Sequence, residues 1–396
     1  MKNNIYKTIK TICKYSILFG ITAPTLVLAS ANIPWQIDVG IAYDDNPFRT
    51  PDSTYTDFAQ AGNPIIIPNK QSGFFIPVVA EVQLSDESAI DSRFDSSYKL
   101  KADKYLSANL ENADQYVHAL SFGKSLLPGS NNTNNGKLYT EFNIDIARKT
   151  YYDRDDGLPK TTSGGTDISN RYEYFSYGVT ADYDKTIVSQ PITFSAAIEK
   201  LNYSDPIGTT QLDHTRKSLG ISSETRVSSA MKFKYGYQYE NRDYSNRHAR
   251  DPLATLTTQL LNYDYNILDL TLRNRINTDL TIYFDYQWKQ RIDDFAGYND
   301  YTLNKFKVRG IYKHGSTGRT RVAVSSYKID YSNAFNFEDP TQGSKTTDVM
   351  TLDIKTEFEY RGYQWWASME MDNKDSTDAR YQYDRYIASI GITRSY

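Results

Sequence analysis

The sequence has almost no cysteine and little histidine. Cys13 is the one cysteine among 396 residues, and there are four histidines. Cys13 lies in an N-terminal segment that we expect to be removed, so the mature chain has no thiol for disulfides, metal ligands or nucleophiles. No two histidines lie at metal-ligand spacing on one strand. The sequence therefore predicts neither a metal nor a cofactor.

Long apolar runs are missing after the first thirty residues. The one such run, 17–28, follows a basic stretch and precedes the small-x-small triplet Ala29-Ser30-Ala31. The run is shorter than the roughly 20 residues of a membrane-spanning helix, and its flanks are those of a secretory signal. We predict a signal peptide over 1–31 and an exported mature chain over 32–396. That chain has 41 basic and 48 acidic residues, a balance that argues against nucleic acid and other polyanions as partners.

Tyrosine is abundant, with 34 residues against 17 phenylalanines, and the aromatic and aliphatic residues alternate with polar ones. Between 350 and 360, for example, Met350, Leu352 and Ile354 alternate with Asp353 and Lys355. Period two is typical of strands, and segments of roughly 9 to 14 residues suit a tilted strand that crosses a bilayer. We predict sixteen strands, at 35–43, 74–84, 92–102, 114–124, 137–149, 171–184, 191–201, 215–226, 230–240, 260–273, 279–289, 301–312, 319–330, 347–360, 363–372 and 382–396.

These strands predict an all-β fold, a transmembrane antiparallel up-and-down barrel in the outer membrane. Long extracellular loops, including 44–73, 150–170, 241–259 and 331–346, alternate with short periplasmic turns, including 227–229, 274–278 and 361–362. The turn at 125–136 is long for its side. His118 and Val322 fit either face of the wall. A soluble β-sandwich is the alternative, but the charge on one face of each strand favours water on that side.

Aromatic residues at strand ends predict two girdles at the membrane interfaces, because their rings prefer the headgroup region. The predicted girdle residues are Tyr43, Trp288, Tyr312, Tyr360 and Trp365. The chain ends in a strand with Gly391 and a terminal aromatic, Tyr396, which resembles the C-terminal signal that barrel assembly machinery recognises. Arg394 departs from that signal, since its position is normally hydrophobic.

The first strand and its exit, Val39-Gly40-Ile41-Ala42-Tyr43-Asp44-Asp45-Asn46-Pro47-Phe48-Arg49, resemble the start of a family of β-barrel porins of Gram-negative bacteria. Several members of this family accompany exopolysaccharide export. The resemblance rests on this short motif and on barrel features across 32–396. It implies an outer-membrane location and a role in moving a polar solute or polymer.

A barrel of about sixteen strands is wide enough for an aqueous channel. The predicted lumen-lining residues are Asp38, Lys99, Lys101, Glu141, Asp145, Lys232, Lys234, Tyr283, Asp285, Lys289, Asp353 and Glu357. These charges either set a field for polar solutes or pair across the lumen to hold its shape. The loop residues Asp153, Arg154, Asp155 and Asp156 are candidates for an inward-folded constriction, and loop 44–73 is the alternative plug.

The sequence thus predicts a porin-like channel for passive passage of polar solutes, without enzymatic activity. The first alternative is an outer-membrane component of exopolysaccharide export, which an aromatic-lined lumen would favour; Tyr283 is the clearest aromatic residue predicted inside. The second is a hydrolase at the barrel rim, with Asp213-His214, or His248 near Asp243 and Asp251, as base and orienting acid. A plugged adhesin is a further possibility. Expected partners are outer-membrane lipid, the barrel assembly machinery and a polar small solute or polysaccharide.

Overall fold

A computed structural model describes residues 33–57, 62–86, 94–127, 136–335 and 343–396. The predicted signal peptide, 1–31, lies outside the described residues. Among those described, no helix is long and apolar enough to cross a membrane. In the described part of the chain, the helical structure consists of short 3-10 segments in the connections, such as Ala108–Ala113.

Sixteen long strands form one closed antiparallel barrel, in which each strand pairs with its neighbours along the chain and the last pairs with the first. The strands are β1 Trp35–Asp44, β4 Gly73–Asp86, β5 Phe94–Tyr105, β6 Gln115–Leu127, β7 Lys137–Lys149, β8 Tyr174–Ile187, β9 Gln190–Tyr203, β10 His214–Arg226, β11 Met231–Arg250, β12 Leu256–Arg275, β13 Leu280–Asp293, β14 Tyr301–His314, β15 Gly318–Phe335, β16 Ser344–Tyr360, β17 Tyr363–Ser376 and β18 Tyr383–Ser395. A two-stranded hairpin, β2 Tyr55–Thr56 and β3 Ile65–Ile66, lies in the first long connection. The predicted fold class and strand number are confirmed.

The barrel closes where β1 meets β18, in register Gly40 opposite Gly391. The backbone amides of Trp35 and Tyr396 each donate to the other's carbonyl, at 3.2 and 3.0 Å. Closure satisfies both edge strands, which would otherwise expose unpaired backbone groups.

The indole of Trp366, on β17, lies over this seam. A Cβ placed on Gly391 would lie 2.4 Å from Cζ2 of the indole, and one on Gly40 would lie 2.8 Å from Cη2. The two glycines therefore make room for a bulky ring on the inner wall. This packing gives Gly391 a structural role of its own, in addition to the predicted role in assembly, which stays a prediction.

The two faces of the wall differ in chemistry. One face carries exposed apolar side chains on successive strands, among them Ile41, Phe284, Phe306, Met350 and Ile390. The girdle residues predicted from sequence share this face, since Tyr43, Trp288, Tyr312, Tyr360 and Trp365 all have its strand parity. His118 and Val322 also lie on it, and His118 accepts or donates a 2.9 Å hydrogen bond with the Tyr98 hydroxyl.

The connections at one end of the barrel are mostly longer than those at the other, which gives the barrel a loop end and a turn end. We name the loop-end connections L1 (45–72), L2 (106–114), L3 (150–173), L4 (204–213), L5 (251–255), L6 (294–300), L7 (336–343) and L8 (377–382). The turns include 188–189, 227–230, 276–279 and 361–362. Part of the long predicted turn at 125–136, residues 128–135, lies outside the described residues.

The predicted loop 241–259 is wrong in extent. Strands β11 and β12 run on to Arg250 and from Leu256, with register shifts after Asp243. The two strands project beyond the band of outward apolar side chains. Past Asp243 they pair only at His248 opposite Leu260 and at Arg250 opposite Leu256. Only the five residues 251–255 connect them.

Candidate functional site

The inner face of the wall is identified by a cavity of about 620 Å³ whose lining comes from strands round more than half of the barrel. Asp38 on β1, Asp103 on β5, Arg309 on β14, Asp353 on β16 and Arg385 on β18 all border it. Side chains from such distant strands can meet only across the lumen. Residues of the same parity therefore face inward.

All twelve residues predicted to line the lumen have this inward parity: Asp38, Lys99, Lys101, Glu141, Asp145, Lys232, Lys234, Tyr283, Asp285, Lys289, Asp353 and Glu357. Several pair with inward neighbours, as Lys99 does with Glu81 at 2.9 Å and Lys232 with Glu224 at 2.5 Å. Pairing of this kind holds the shape of the wall. It leaves open what these side chains do to a solute.

Sequence reasoning missed most of the inward aromatic residues. Rings follow one another along the inner wall near the loop end, on Tyr174, Tyr203, His214, Tyr244, Tyr263 and Tyr265, with successive centroids 5.0 to 6.1 Å apart. The guanidinium of Arg291 continues this row, 4.5 Å from the Tyr263 ring and 4.3 Å from the Tyr301 ring. We call this set the tyrosine row.

The middle of the tyrosine row is packed, because Tyr263 and Tyr265 are 2% and 3% exposed. They belong to a core with Tyr244, Ala249 and Leu261, inside the projecting part of β11 and β12. At the ends of the row, Tyr174, Tyr203 and Tyr301 are half-buried and keep ring surface toward the lumen. The sequence did contain a signal for these two residues. Leu268, Leu270 and Leu272 occupy even positions on the outward face of β12, so the odd positions of the same strand, Tyr263 and Tyr265, face inward.

The motif after the first strand folds inward and forms a core at the loop end. Phe48 is fully buried against Ala42, Phe75, Tyr105 and Leu110. Beneath it, Asp44 accepts hydrogen bonds from the Tyr105 hydroxyl at 2.6 Å and from Nε of Arg385 at 3.1 Å. The motif therefore supplies a rigid wall on the β1 side of the lumen.

The predicted constriction segment of L3 lies against this core. A Cβ on Gly157 would collide with the Phe48 ring at 2.2 Å, and the Tyr152 hydroxyl donates to the carbonyl of Pro47 at 3.3 Å. Asn112 of L2 donates to the carbonyl of Gly157 at 3.0 Å. Three loops thus join over the same side of the lumen.

L1 and L3 are tied by the carboxylate of Asp155. The Tyr55 hydroxyl donates to the two carboxylate oxygens at 2.8 and 3.0 Å. The backbone amide of Asn69 donates to the backbone carbonyl of Asp155 at 2.7 Å. Burial raises the pKa of Asp155, against the hydrogen bond from Tyr55, while the neighbouring charge of Asp153 raises it further. Burial and the bond to Asp155 raise the pKa of Tyr55.

The other residues of the predicted constriction, Asp153, Arg154 and Asp156, have separate contacts. Burial disfavours the Asp153 carboxylate, but hydrogen bonds from Lys160 and from the Asp155 amide outweigh it and lower its pKa. Arg154 lies over the ring of Tyr381 in L8, at 4.5 Å from its centroid. The carbonyl of Asp156 accepts from Gln71 of L1 at 2.8 Å. In the alternative plug, loop 44–73, Ile65 and Ile67 are exposed.

The histidines considered for hydrolysis contact backbone carbonyls. Nδ1 of His214 lies 2.8 Å from the carbonyl of Leu212, and Nδ1 of His248 lies 2.5 Å from that of Thr257. Asp213 accepts from the amide of Tyr203 and Asp243 pairs with Lys217. Among the described residues, no group of three metal-ligating side chains lies close enough to hold an ion.

Comparison with known proteins finds similarity to solved barrels alone. No protein-family model matches the chain. No curated protein matches it. An anion-selective porin from Comamonas acidovorans is 9% identical, with a TM-score of 0.45 over 92% of this chain and 98% of that chain. A bacterial polysaccharide outer membrane secretin is 10% identical, with a TM-score of 0.43 over 91% and 98%. A loop-deletion variant of OmpT, an outer membrane protein of Vibrio cholerae, is 10% identical, with a TM-score of 0.44 over 91% and 98%. Similarity of this degree assigns no function to this chain.

Proposed function

We propose that this protein is an outer-membrane channel through which polar solutes pass passively. The observation that carries the proposal is the opposite chemistry of the two faces of one closed wall. Apolar side chains such as Phe306 and Met350 point outward, where lipid would cover them. Charged side chains such as Lys101 and Asp353 point inward, where only water can solvate them.

The width of the barrel supports the same proposal. Sixteen strands enclose more space than inward side chains fill, as in porins. Cavities of about 480 and 620 Å³ open on different parts of the inner wall, one beside Lys234 and Asp285 and the other beside Asp38 and Arg309. The joined loops L1, L2 and L3 would narrow the path on the β1 side.

Single-channel recording of the refolded mature protein in a planar bilayer tests this proposal. We expect steady conductance steps, and a finite reversal potential in a salt gradient. A barrel that is demonstrably folded yet silent would overturn the proposal and favour a plugged adhesin. Cell fractionation tests the location: the protein should be recovered with the outer membrane.

A second candidate, a component of exopolysaccharide export, is favoured by the inward rings. Tyr174, Tyr203, Tyr301 and Tyr283 are half-buried on the inner wall, and sugar faces stack on such rings. The two proposals share the same channel and differ in the solute that passes through it, which is a small polar solute in the first and a polysaccharide in the second. Addition of neutral oligosaccharides during recording distinguishes them, since a sugar path predicts resolved current blocks and a plain salt pore does not.

A further inference from the structure

Within the described residues, four cations at the loop end of the barrel interior, which we call the loop-end vestibule, lack an acidic partner. Arg49 of L1, Lys149 at the end of β7, Arg154 of L3 and Lys374 of β17 form this set, which we call the cationic cluster. Arg49 and Arg154 each lie within electrostatic range of both Lys149 and Lys374. Within the described part of the chain, no ion pair or hydrogen bond joins any of the four to an acid.

The cluster faces rings and water. Arg154 lies over Tyr381 at 4.5 Å, Lys374 lies 5.2 Å from the same ring, and Arg49 lies 5.9 Å from the ring of Tyr383. Lys149 is exposed, and the other three cations are half-buried. Nη1 of Arg154 is buried without a hydrogen-bond partner. Exposed atoms remain on all four side chains, although this one nitrogen of Arg154 has no contact with solvent.

The acids around the cluster are already engaged. Lys160 binds Asp153, and the Tyr55 hydroxyl binds Asp155. Asp378, which lies within electrostatic range of Lys374, is held by Lys345 and by Arg380, each at 3.1 Å. Asp153 and Asp378 are thus paired with other cations, and none of these three acids forms an ion pair with the cluster, although the whole chain is acidic. The cavity beside the cluster is bordered by more cations than acids, namely Arg49, Lys149, Arg154, Lys160 and Arg380 against Asp57, Asp153 and Asp155. An excess of one sign of charge in a cleft attracts counter-ions.

The cavity beside the cluster has the size and lining of a saccharide site. Arg49, Lys149 and Arg154 border a cavity of about 520 Å³, together with the rings of Tyr172 and Tyr381. That volume lies within the roughly 300–1,000 Å³ range of small-molecule sites. Guanidinium groups bind carboxylates through two parallel hydrogen bonds, while rings offer surfaces to sugar faces.

We propose that the cationic cluster binds the carboxylate of an acidic saccharide, a uronate, as it passes through the loop-end vestibule. The inference rests on the proposed channel, and it adds the charge class of the solute and the place where the solute binds. Arg49 and Arg154 hold the carboxylate, Lys149 and Lys374 add attraction at longer range, and Tyr172, which borders the cavity and is 40% exposed, contacts the sugar ring.

Current block by two trisaccharides tests the inference in planar bilayers. We expect trigalacturonate to block the channel with at least about tenfold higher apparent affinity than maltotriose, because the cluster attracts only the charged sugar. The double variant R154Q/K374Q should lose most of this difference. The control K99Q/K232Q removes two inward charges that have their own acidic partners, and it should keep the difference.

The outcomes separate the inference from the proposed function. A folded channel without any conductance contradicts the channel itself. A conducting channel that both sugars block equally, or that neither blocks, overturns the inference alone. Trigalacturonate block that survives R154Q/K374Q with unchanged affinity also overturns it, because the charged sugar would then bind elsewhere. Equal unfolding midpoints of the variants show that charge, and not folding, causes the difference.

Discussion

Substitution of Gly391 by alanine should weaken the seam that closes the barrel. The new Cβ would lie 2.4 Å from both the Trp366 indole and the carbonyl of Val39, about 1 Å inside the 3.4 Å at which ordinary contact begins. The ring can tilt, but the carbonyl belongs to the β1–β18 ladder, so the strands must separate locally. We expect Gly391→Ala to lower the free energy of unfolding by about 1–3 kcal/mol, the usual cost of overpacking.

Urea unfolding of the refolded protein measures this loss, and Gly220→Ala is the matched control. A Cβ on Gly220 would lie 3.5 Å from the carbonyl of Tyr237, in ordinary contact, also on the inner face. G220A should leave stability unchanged or raise it slightly, since glycine is costly within a strand. Equal unfolding midpoints for the two variants would refute the seam argument. If G391A unfolds like the parent protein in urea but reaches the outer membrane of cells in smaller amounts, the result would instead support the assembly role of this glycine.

Two further substitutions test the contact between L1 and L3 and the tyrosine row. Tyr55→Phe removes the hydroxyl that binds Asp155 and should lower the free energy of local opening of L1 by about 1–3 kcal/mol. We expect faster proteolysis within L1 at an unchanged global unfolding midpoint, and unchanged proteolysis would contradict the contact. Arg291→Lys keeps the charge but loses the planar stack on Tyr301 and the hydrogen bond from Nε to the carbonyl of Asn299. We expect the free energy of unfolding to fall by about 1–2 kcal/mol, and the melting temperature with it. A melting temperature equal to that of the parent protein would show that the stack contributes nothing.

The strand pattern made the barrel predictable because lipid and water act on opposite faces of the same strand. Wherever both environments are present, apolar and polar residues alternate, as in β13 and β16, whose predicted segments 279–289 and 347–360 overlap the observed strands closely. The pattern fails beyond the apolar band. There the outward residues of β11 and β12 become polar, as at Asn241 and Asp264, which hydrogen-bond across the strand pair at 2.8 Å. Backbone pairing continues without an apolar signal, so the loop was predicted too long.

Parity also placed charged residues on the inner wall, but it gave no information on loops. The position of Arg154 depends on L3 crossing toward Tyr381 of L8, a contact between residues more than two hundred positions apart. No local pattern encodes such a contact. The same holds for Trp366, whose fit over Gly40 and Gly391 depends on the closure of the barrel.

The net charge of the chain does not set the local charge of the vestibule, for a physical reason. Charges that water separates by more than about 8–10 Å are largely screened, so the acidic residues elsewhere on the chain have little effect on a solute inside the lumen. A solute in the vestibule responds to the groups around it, where Asp153 and Asp378 are paired with lysines and the cationic cluster has no ion pair among the described residues. A chain with an overall negative charge can therefore favour anions along its path. The sign of the reversal potential, compared between the parent protein and R154Q/K374Q, reports this local charge directly, because the chain outside the vestibule is the same in both.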